Sequence, residues 1–249
     1  TLLGCDALAL TPFNDSSNAA FAANDNPIVN AQGRILTTLP QFRWSHPFGE
    51  AFGISRRTGF PVFYVSQAGD GSIVRVSLDS TRRFMFEKII TGFAVNGGAP
   101  GSILGPSGLQ YSFRKDTLYV VDGANNTLTS IDDVSFVSSN GLHVNPSGQT
   151  FSGPSAKRAK LLFKGAPLNG PISSALLPNG NLVLGNTLDP NGINLMVEFS
   201  SRGKLLARKN VDTGAAGAIF GMVATGHEYG ETKLYFNDDN LNAVQVLER

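Results

Sequence analysis

Short apolar runs alternate with polar turns along most of the chain. One pattern recurs: a short apolar run, a turn rich in Asn, Asp and Gly, and a second apolar run. Its clearest copies are residues 64–73, 119–128, 183–193 and 235–244, with a fifth at 21–29. Two apolar runs separated by such a turn are typical of a β-hairpin. The pattern therefore predicts hairpins at five matched positions.

A further apolar run precedes each hairpin, and another follows each of the first four. The preceding runs are 7–10, 51–54, 108–111, 174–177 and 221–224. The following runs are 34–37, 84–87, 160–163 and 204–207. The repeating unit is thus four strands, a to d, which recur every ~40–60 residues, as in the blades of a β-propeller.

The predicted fold class is therefore all-β, a β-propeller of four-stranded blades. About five repeats are visible, and we expect five or six blades in a single domain over residues 1–249. A small four-stranded sheet cannot cover both of its faces alone, whereas blades stacked around an axis cover each other. A β-sandwich with coincidental internal similarity is the alternative fold.

Two stretches carry a resemblance to a known family. Gly-Pro-Ser-Gly-Leu at 105–109, followed by a Tyr-Val-Val-Asp strand and Asn-Asn at 119–126, resembles the NHL repeat. This resemblance implies a propeller fold and leaves the function open. Gluconolactonase-like propellers, a weaker resemblance, hold a cation between a Glu, two polar residues and an Asp. Here Glu50, Asn186 and Asp238 are the residues available for that arrangement.

Composition narrows the classes of function. The 249 residues carry a formal net charge of +1, which argues against binding of nucleic acid or an anionic membrane surface. Apolar runs stay well short of the ~18 residues of a membrane span, so we expect no membrane span. Only 16% of residues are charged. A surface rich in Asn, Ser and Thr is compatible with a secreted, periplasmic or cell-envelope protein.

The turns between strands b and c hold the candidate binding residues. In a propeller these turns lie on one end of the ring, so residues at matched positions would come near the axis. The ligand-binding candidates are Asn24, Gln67, Asp122, Asn186 and Asp238. Oxygen ligands suit Ca²⁺ or another divalent cation, for which Asp122, Asp238 and Glu50 are the candidates. The alternative is that hairpin turns need Asn, Asp and Gly for their backbone geometry alone.

Recognisable catalytic motifs are missing from the sequence, which contains no Gly-x-Ser-x-Gly, CxxC or His-Glu-x-x-His. The leading hypothesis is a non-catalytic binding or scaffold propeller that binds a protein or small-molecule partner through its loop faces. One alternative is a metal-assisted hydrolase or lactonase with an acidic site at the top of the channel. Another is a structural component of an extracellular or envelope assembly, which would oligomerise through an open strand edge at 244–247.

Residues 132–159 form an insertion between strands c and d of the third repeat. The segment is rich in Ser, Asn, Gly and Pro. A loop of this length inside a compact domain is often functional, but long surface excursions are also tolerated. The sequence leaves open whether this insertion binds a partner or is a surface loop without such a role.

Overall fold

The structure is a computed structural model that describes residues 27–29, 35–38, 42–97 and 103–248. Within these ranges the regular secondary structure is β strand, apart from three short 3₁₀ helices at Val134–Phe136, Ala156–Arg158 and Tyr229–Glu231. Four sheets, here called I to IV, lie in a propeller-like arrangement. No helix in the described ranges is long and apolar enough to cross a membrane.

The strands follow one another in simple meanders. A two-stranded hairpin comes first, made of β1 (Pro27–Val29) and β2 (Ile35–Thr38). Sheet I contains β3 (Pro47–Ile54), β4 (Pro61–Gln67), β5 (Ser72–Leu78) and β6 (Phe84–Thr91). Sheet II begins with β7 (Pro106–Ser112), β8 (Thr117–Asp122) and β9 (Thr127–Ile131).

The insertion and the last two sheets follow. The insertion holds β10 (Leu142–Val144) and β11 (Phe151–Ser152), and β12 (Ala159–Lys164) then completes sheet II. Sheet III contains β13 (Ser173–Leu176), β14 (Leu182–Gly185), β15 (Asn194–Phe199) and β16 (Leu205–Asp212). Sheet IV contains β17 (Met222–Thr225), β18 (Lys233–Asp238) and β19 (Ala243–Glu248).

The all-β class and the propeller architecture are confirmed. Sheets I to IV correspond strand by strand to the second through fifth predicted repeats, and β1 and β2 coincide with the end of the first. The remaining strands predicted for the first repeat lie outside the described residues. The count of five or six blades and the single domain over the whole chain stay predictions.

The sheets stack through their apolar faces. Between sheets I and II the core contains Tyr64, Ile90, Leu118, Val120 and Ile131. Between sheets II and III it contains Leu128, Leu184, Val197 and Phe199, and between sheets III and IV it contains Met196, Leu234 and Phe236. The strands β8 and β9 are buried at every position. A strand that is covered on both faces has apolar residues at nearly every position. This is why the repeat could be recognised from the sequence.

The inner strands approach one another closely near the axis. A Cβ atom added to Gly49 on β3 would lie 1.8 Å from the carbonyl oxygen of Ser107 on β7. One added to Gly108 on β7 would lie 2.9 Å from the carbonyl oxygen of Ile172. Larger residues at these positions would push the sheets apart, so glycine sets the spacing of the inner strands.

The insertion within sheet II packs against the neighbouring sheet. Its strand β10 pairs in parallel with β6, so that sheet I gains two strands at its outer edge. Val134, Val137, Leu142 and Val144 of the insertion are fully buried in the core between sheets I and II. The insertion therefore covers an exposed sheet edge, which is a packing role.

Arg75 on β5 joins sheet I to the insertion through hydrogen bonds. Arg75 is 4% exposed, and its guanidinium group donates hydrogen bonds to the carbonyl oxygens of Ser135 (3.2 Å) and Val137 (2.9 Å). It also forms an ion pair with Glu87 at 2.7 Å. Because all these partners surround one buried cation, the group contributes to stability through several bonds at once.

We expect Arg75→Ala to lower the free energy of unfolding by about 2–4 kcal/mol, since it leaves two buried carbonyl groups without donors. Denaturation in urea would measure the change. The matched control is Arg57→Ala, because Arg57 is exposed and its loss should cost under about 0.5 kcal/mol. Equal losses in the two variants would contradict the role assigned to Arg75.

Candidate functional site

The inner strands of the four sheets surround a cavity of about 790 Å³, here called the axial cavity. The strands β3, β7, β13 and β17 supply most of its wall, and parts of β18 and β19 supply the rest. Small-molecule sites usually occupy some 300–1,000 Å³, so the cavity has the size of a binding site. It exists because four sheets converge on one axis without their inner edges meeting there.

The wall of the axial cavity is largely apolar and aromatic. Its apolar side chains include Phe48, Phe52, Leu109, Phe220, Met222 and Phe236. Its polar groups include Glu50, Gln110, Ser174, Tyr235 and Asn237. Glu50 on β3 is the charged residue among the described residues that line the cavity. A mainly apolar wall with a few polar groups is typical of sites for small organic ligands.

Hydrogen bonds between neighbouring sheets hold the polar groups of the wall in place. The Gln110 amide on β7 donates to the carbonyl oxygen of Ser174 on β13 at 2.9 Å. The Ser173 hydroxyl donates to the carbonyl oxygen of Ile219 at 3.1 Å, which joins β13 to the segment before β17. Such bonds order the side chains before any ligand arrives, which lowers the entropy lost on binding.

The predicted binding residues lie at the ends of the second strands, away from the cavity wall. Gln67, Asp122, Asn186 and Asp238 are each at most 2% exposed, and none of them lines the axial cavity. Each occupies the matched position that the sequence indicated, in sheets I, II, III and IV respectively. Asn24 lies outside the described residues.

Asp122 and Asp238 accept hydrogen bonds from the turns that follow them. Asp122 accepts from the backbone N–H of Ala124 and from the Asn125 amide, both at 2.9 Å. Asp238 accepts from the backbone N–H of Leu241 at 3.1 Å. These are the bonds by which Asp stabilises a tight turn. They support the turn explanation of the polar positions, and a role in ligand binding stays a prediction.

Backbone geometry gives a second reason for the polar turns. In the b–c turns of sheets I, II and IV, Gly71, Asn126 and Asn242 have φ angles of 68°, 54° and 50°. Residues with large side chains rarely adopt this left-handed region, whereas Gly and Asn do so readily. The repeated Asn and Gly of the sequence therefore match a backbone requirement.

Gln67 and Asn186 are only partly satisfied. The Gln67 side-chain oxygen accepts from the backbone N–H of Ser45 at 2.6 Å, and the Asn186 amide donates to the Pro167 carbonyl at 2.7 Å. The Gln67 Nε2 and Asn186 Oδ1 atoms are buried and make no hydrogen bond with the described residues. The two atoms belong to matched turn-anchoring side chains, one in sheet I and one in sheet III.

The predicted metal ligands are not brought together. Glu50 lines the axial cavity, whereas Asp122 and Asp238 anchor turns in sheets II and IV. In the ranges that the structure describes, no group of three or more His, Cys, Asp or Glu side chains could hold a metal ion. Binding of Ca²⁺ or another cation stays a prediction.

Burial changes the acidity of Asp122. Loss of solvent raises the pKa of this carboxyl, and the hydrogen bonds from Asn125 and Ala124 offset only part of the rise. The folded protein therefore holds the proton on Asp122 more tightly than the unfolded chain does. Above the ordinary pKa of 3.8, the unfolded chain loses this proton while the folded protein still holds it. The free energy of unfolding therefore falls with rising pH until the folded carboxyl has also lost its proton.

The aromatic wall of the cavity was missed by reasoning from the sequence. The signal was present in β3, where Phe48, Glu50 and Phe52 stand among small residues. Alternation indicates that Glu50 and Phe52 share one face of the strand, whereas a bulge between Pro47 and Glu50 takes Phe48 out of this register. The first strand of each blade, which borders the axis, was the better place to look.

Comparison with known proteins supports the fold. No family model matches the sequence, and no curated protein matches it. A solved structure from Bacteroides fragilis, named as a "putative 6-phosphogluconolactonase", is similar with a TM-score of 0.53 and 13% identity. A protein of unknown function from Bacteroides thetaiotaomicron aligns with a TM-score of 0.48 and 9% identity.

The chain spans about three fifths of the length of each neighbour. The alignments cover 90% of this chain but only 59% and 58% of the neighbours' chains. At 13% identity the first similarity indicates a shared fold and leaves the activity open. The resemblance to NHL repeats stays a prediction.

We expect the stability difference between the wild-type protein and Asp122→Asn to depend on pH. Because burial raises the pKa of Asp122, the unfolding free energy of the wild type relative to the variant should fall as the pH rises from about 4 to 7. Urea denaturation of both proteins across this range would measure it. A relative gain with rising pH, abolished by a chelator, would instead indicate a cation bound to the Asp122 carboxylate.

Proposed function

We propose that this protein is a non-catalytic binding propeller that holds a small organic ligand in its axial cavity. The observation that carries the proposal is the cavity itself, about 790 Å³ between four inner strands, with aromatic and aliphatic walls and a few ordered polar groups. The cavity is formed by the framework of the fold, so a ligand would meet a rigid site. The proposed site therefore lies in the channel, between the two loop faces of the propeller.

The aromatic wall of the cavity restricts the ligand. The rings of Phe48, Phe52 and Phe220 favour flat or aliphatic surfaces, and aromatic faces also attract cations. The ligand class that fits is an amphipathic molecule, either neutral or carrying an amine.

The name of the neighbouring structure points to a different ligand. A phosphorylated gluconolactone is an anion, whereas the aromatic faces of the cavity wall attract cations. The structural similarity concerns the fold alone. The proposal for this protein therefore does not include a phosphorylated lactone as its ligand.

The proposal includes a ring of five blades outside the cytoplasm. Its support is the agreement of sheets I to IV and of the β1–β2 hairpin with five sequence repeats, together with the low fraction of charged residues. The metal-assisted lactonase remains the second hypothesis. The turn-anchoring bonds of Asp122 and Asp238 make it the weaker one, since those carboxylates already have a structural role.

A cavity-filling substitution tests the site. Val223 lines the axial cavity and is 51% exposed, so Val223→Trp should fill the mouth of the cavity with little effect on folding. A thermal-shift screen would compare ring-bearing primary amines, neutral sugars and phosphorylated sugars. We expect amines or neutral compounds to raise the Tm of the wild type, and Val223→Trp to weaken their binding at least tenfold.

The matched control is Val246→Trp, which lies on the same sheet outside the cavity lining and is 43% exposed. Its ligand affinity should equal that of the wild type. Stabilisation by phosphorylated sugars alone would contradict the proposal.

Removal of metal separates the two hypotheses. If the protein is a binding propeller without a catalytic cation, treatment with a chelator should leave the Tm unchanged and mass spectrometry should find no stoichiometric metal. A bound ion whose removal lowers the Tm by several degrees would favour the hydrolase, because a ligand specific for the folded state stabilises it.

A further inference from the structure

Three phenylalanines are exposed at one end of sheets I and II. Phe60 closes the turn between β3 and β4, Phe113 lies in the turn between β7 and β8, and Phe136 ends the 3₁₀ helix that follows β9. Their exposed fractions are 36%, 60% and 49%. Because successive strands run antiparallel, all three lie at the end of the sheets opposite to the b–c turns. Large apolar side chains that are exposed on one surface indicate a site of interaction.

Arg56 connects the first of these turns to the second. Its Nη2 atom donates to the carbonyl oxygen of Arg114 and lies 3.5 Å from that of Phe113. The turn that contains Arg56 also contains Phe60, whose carbonyl oxygen accepts from the N–H of Ser55 at 2.9 Å. Phe60 and Phe113 therefore belong to two turns that are in direct contact.

Buried hydrogen bonds hold the third phenylalanine beside the same turns. The Ser135 hydroxyl accepts from the backbone N–H of Arg56 at 3.0 Å and donates to the buried carboxylate of Asp116 at 2.7 Å. Asp116 also accepts from the Tyr111 hydroxyl at 2.9 Å. Phe136 follows Ser135 directly in the chain. We call this surface, made of residues 55–60, 113–116 and 134–136, the phenylalanine face.

Basic side chains accompany the phenylalanines. Arg57, Arg114 and Lys115 are exposed, and among the described residues no carboxylate forms an ion pair with any of them. Arg56 is also exposed, and its guanidinium group bonds to backbone carbonyl oxygens rather than to a carboxylate. The phenylalanine face therefore presents four bases beside its exposed rings.

The acids in and near the phenylalanine face compensate only part of this charge. Asp116 is buried beneath the surface, and Asp132 accepts a hydrogen bond from the Thr117 hydroxyl at 2.8 Å. Asp133 forms an ion pair with Arg158 at 2.7 Å. Four bases thus stand against two acids without an ion pair, Asp116 and Asp132, so the surface keeps an excess of positive charge. A partner of complementary charge is acidic.

The composition of the phenylalanine face favours a protein partner over a lipid surface. It contains three arginines, three phenylalanines and a single lysine. Interfaces between proteins are enriched in arginine and aromatic residues and depleted in lysine. Attachment to an anionic membrane instead relies on accumulated positive charge, whereas the formal net charge of this chain is +1.

We propose that the phenylalanine face binds an acidic segment of a partner protein, in which carboxylates flank a pair of apolar side chains. The apolar pair packs on Phe60 and Phe113, and the flanking carboxylates pair with Arg57 and Arg114. Apolar contact supplies affinity, and the ion pairs supply specificity and speed of association. The face shares no residue with the lining of the axial cavity, so this inference is independent of the small-molecule ligand.

Binding of synthetic peptides to the full chain tests the proposal. The probe is a fluorescein-labelled hexapeptide with two Glu on either side of a Phe-Leu pair. We expect it to bind by fluorescence anisotropy, with an affinity that falls as salt rises. Peptides with Lys in place of Glu, or with Ser-Ser in place of Phe-Leu, should bind at least tenfold more weakly. Absence of binding, or equal binding of the Glu and Lys peptides, would overturn the proposal.

Two substitutions in the protein locate the binding site. Phe113→Ser should weaken the probe at least tenfold. Its matched control is Leu241→Ser, since Leu241 is 61% exposed in the b–c turn of sheet IV, at the other end of the propeller. The control should bind like the wild type. Both variants should keep the Tm of the wild type, because each replaces an exposed side chain.

Charge reversal separates a local site from an effect of net charge. Arg57→Glu/Arg114→Glu should weaken the probe at least tenfold and strengthen the Lys peptide. The matched variant is Arg208→Glu/Lys209→Glu, which reverses two exposed charges on the outer strand of sheet III and should leave binding unchanged. If both double variants weaken binding equally, the probe responds to net charge and the proposal is wrong.

Vesicles and sedimentation identify other occupants of the phenylalanine face. The wild type should not sediment with phosphatidylserine vesicles, and it should remain monomeric over a wide range of concentration. Sedimentation with these vesicles that Phe113→Ser abolishes would assign the face to a lipid surface. A dimer that the same substitution dissociates would assign it to a second copy of the chain. Either result would overturn the proposal of a separate protein partner.

Discussion

The structure depends on covering both apolar faces of each small sheet. A sheet of three or four short strands buries little surface by itself, so it is stable only when other sheets cover it. The contacts between successive sheets meet this need with a continuous series of cores, in which residues such as Tyr64, Leu118, Phe199 and Phe236 have almost no exposure. The radial arrangement and the channel both follow from this stacking.

Close packing at the axis then fixes the spacing of the sheets. Gly49 against Ser107 and Gly108 against Ile172 bring neighbouring inner strands into contact, but four sheets that converge in this way leave a cavity between their inner edges. The cavity is therefore a consequence of the fold rather than of a flexible loop. Its wall takes its chemistry from inner-strand residues such as Glu50 and Phe52.

The polar turns at one end of the sheets also serve the stacking. The side chain of Asn126 accepts from the backbone N–H of Gly170, whose own carbonyl accepts from the N–H of Leu188. The connection between sheets II and III is thus hydrogen-bonded to the b–c turns of both sheets. The equivalent connection between sheets III and IV is held by Thr187, which donates to Ile219, and by the N–H of Asp239. These bonds give the polar turns a structural role in the stacking.

The sequence by itself determined the repeat, the four-strand unit and the approximate bounds of nearly every described strand. It could do so because strands covered on both faces must be apolar and tight turns must contain Asn, Asp or Gly, so both requirements act on local sequence. The tertiary structure decided the location of the cavity wall, the packing of the insertion onto sheet I and the separation of Glu50 from Asp122 and Asp238. Those features depend on which strands become neighbours and which edge faces the axis, and such long-range relations leave no periodic signal in the chain.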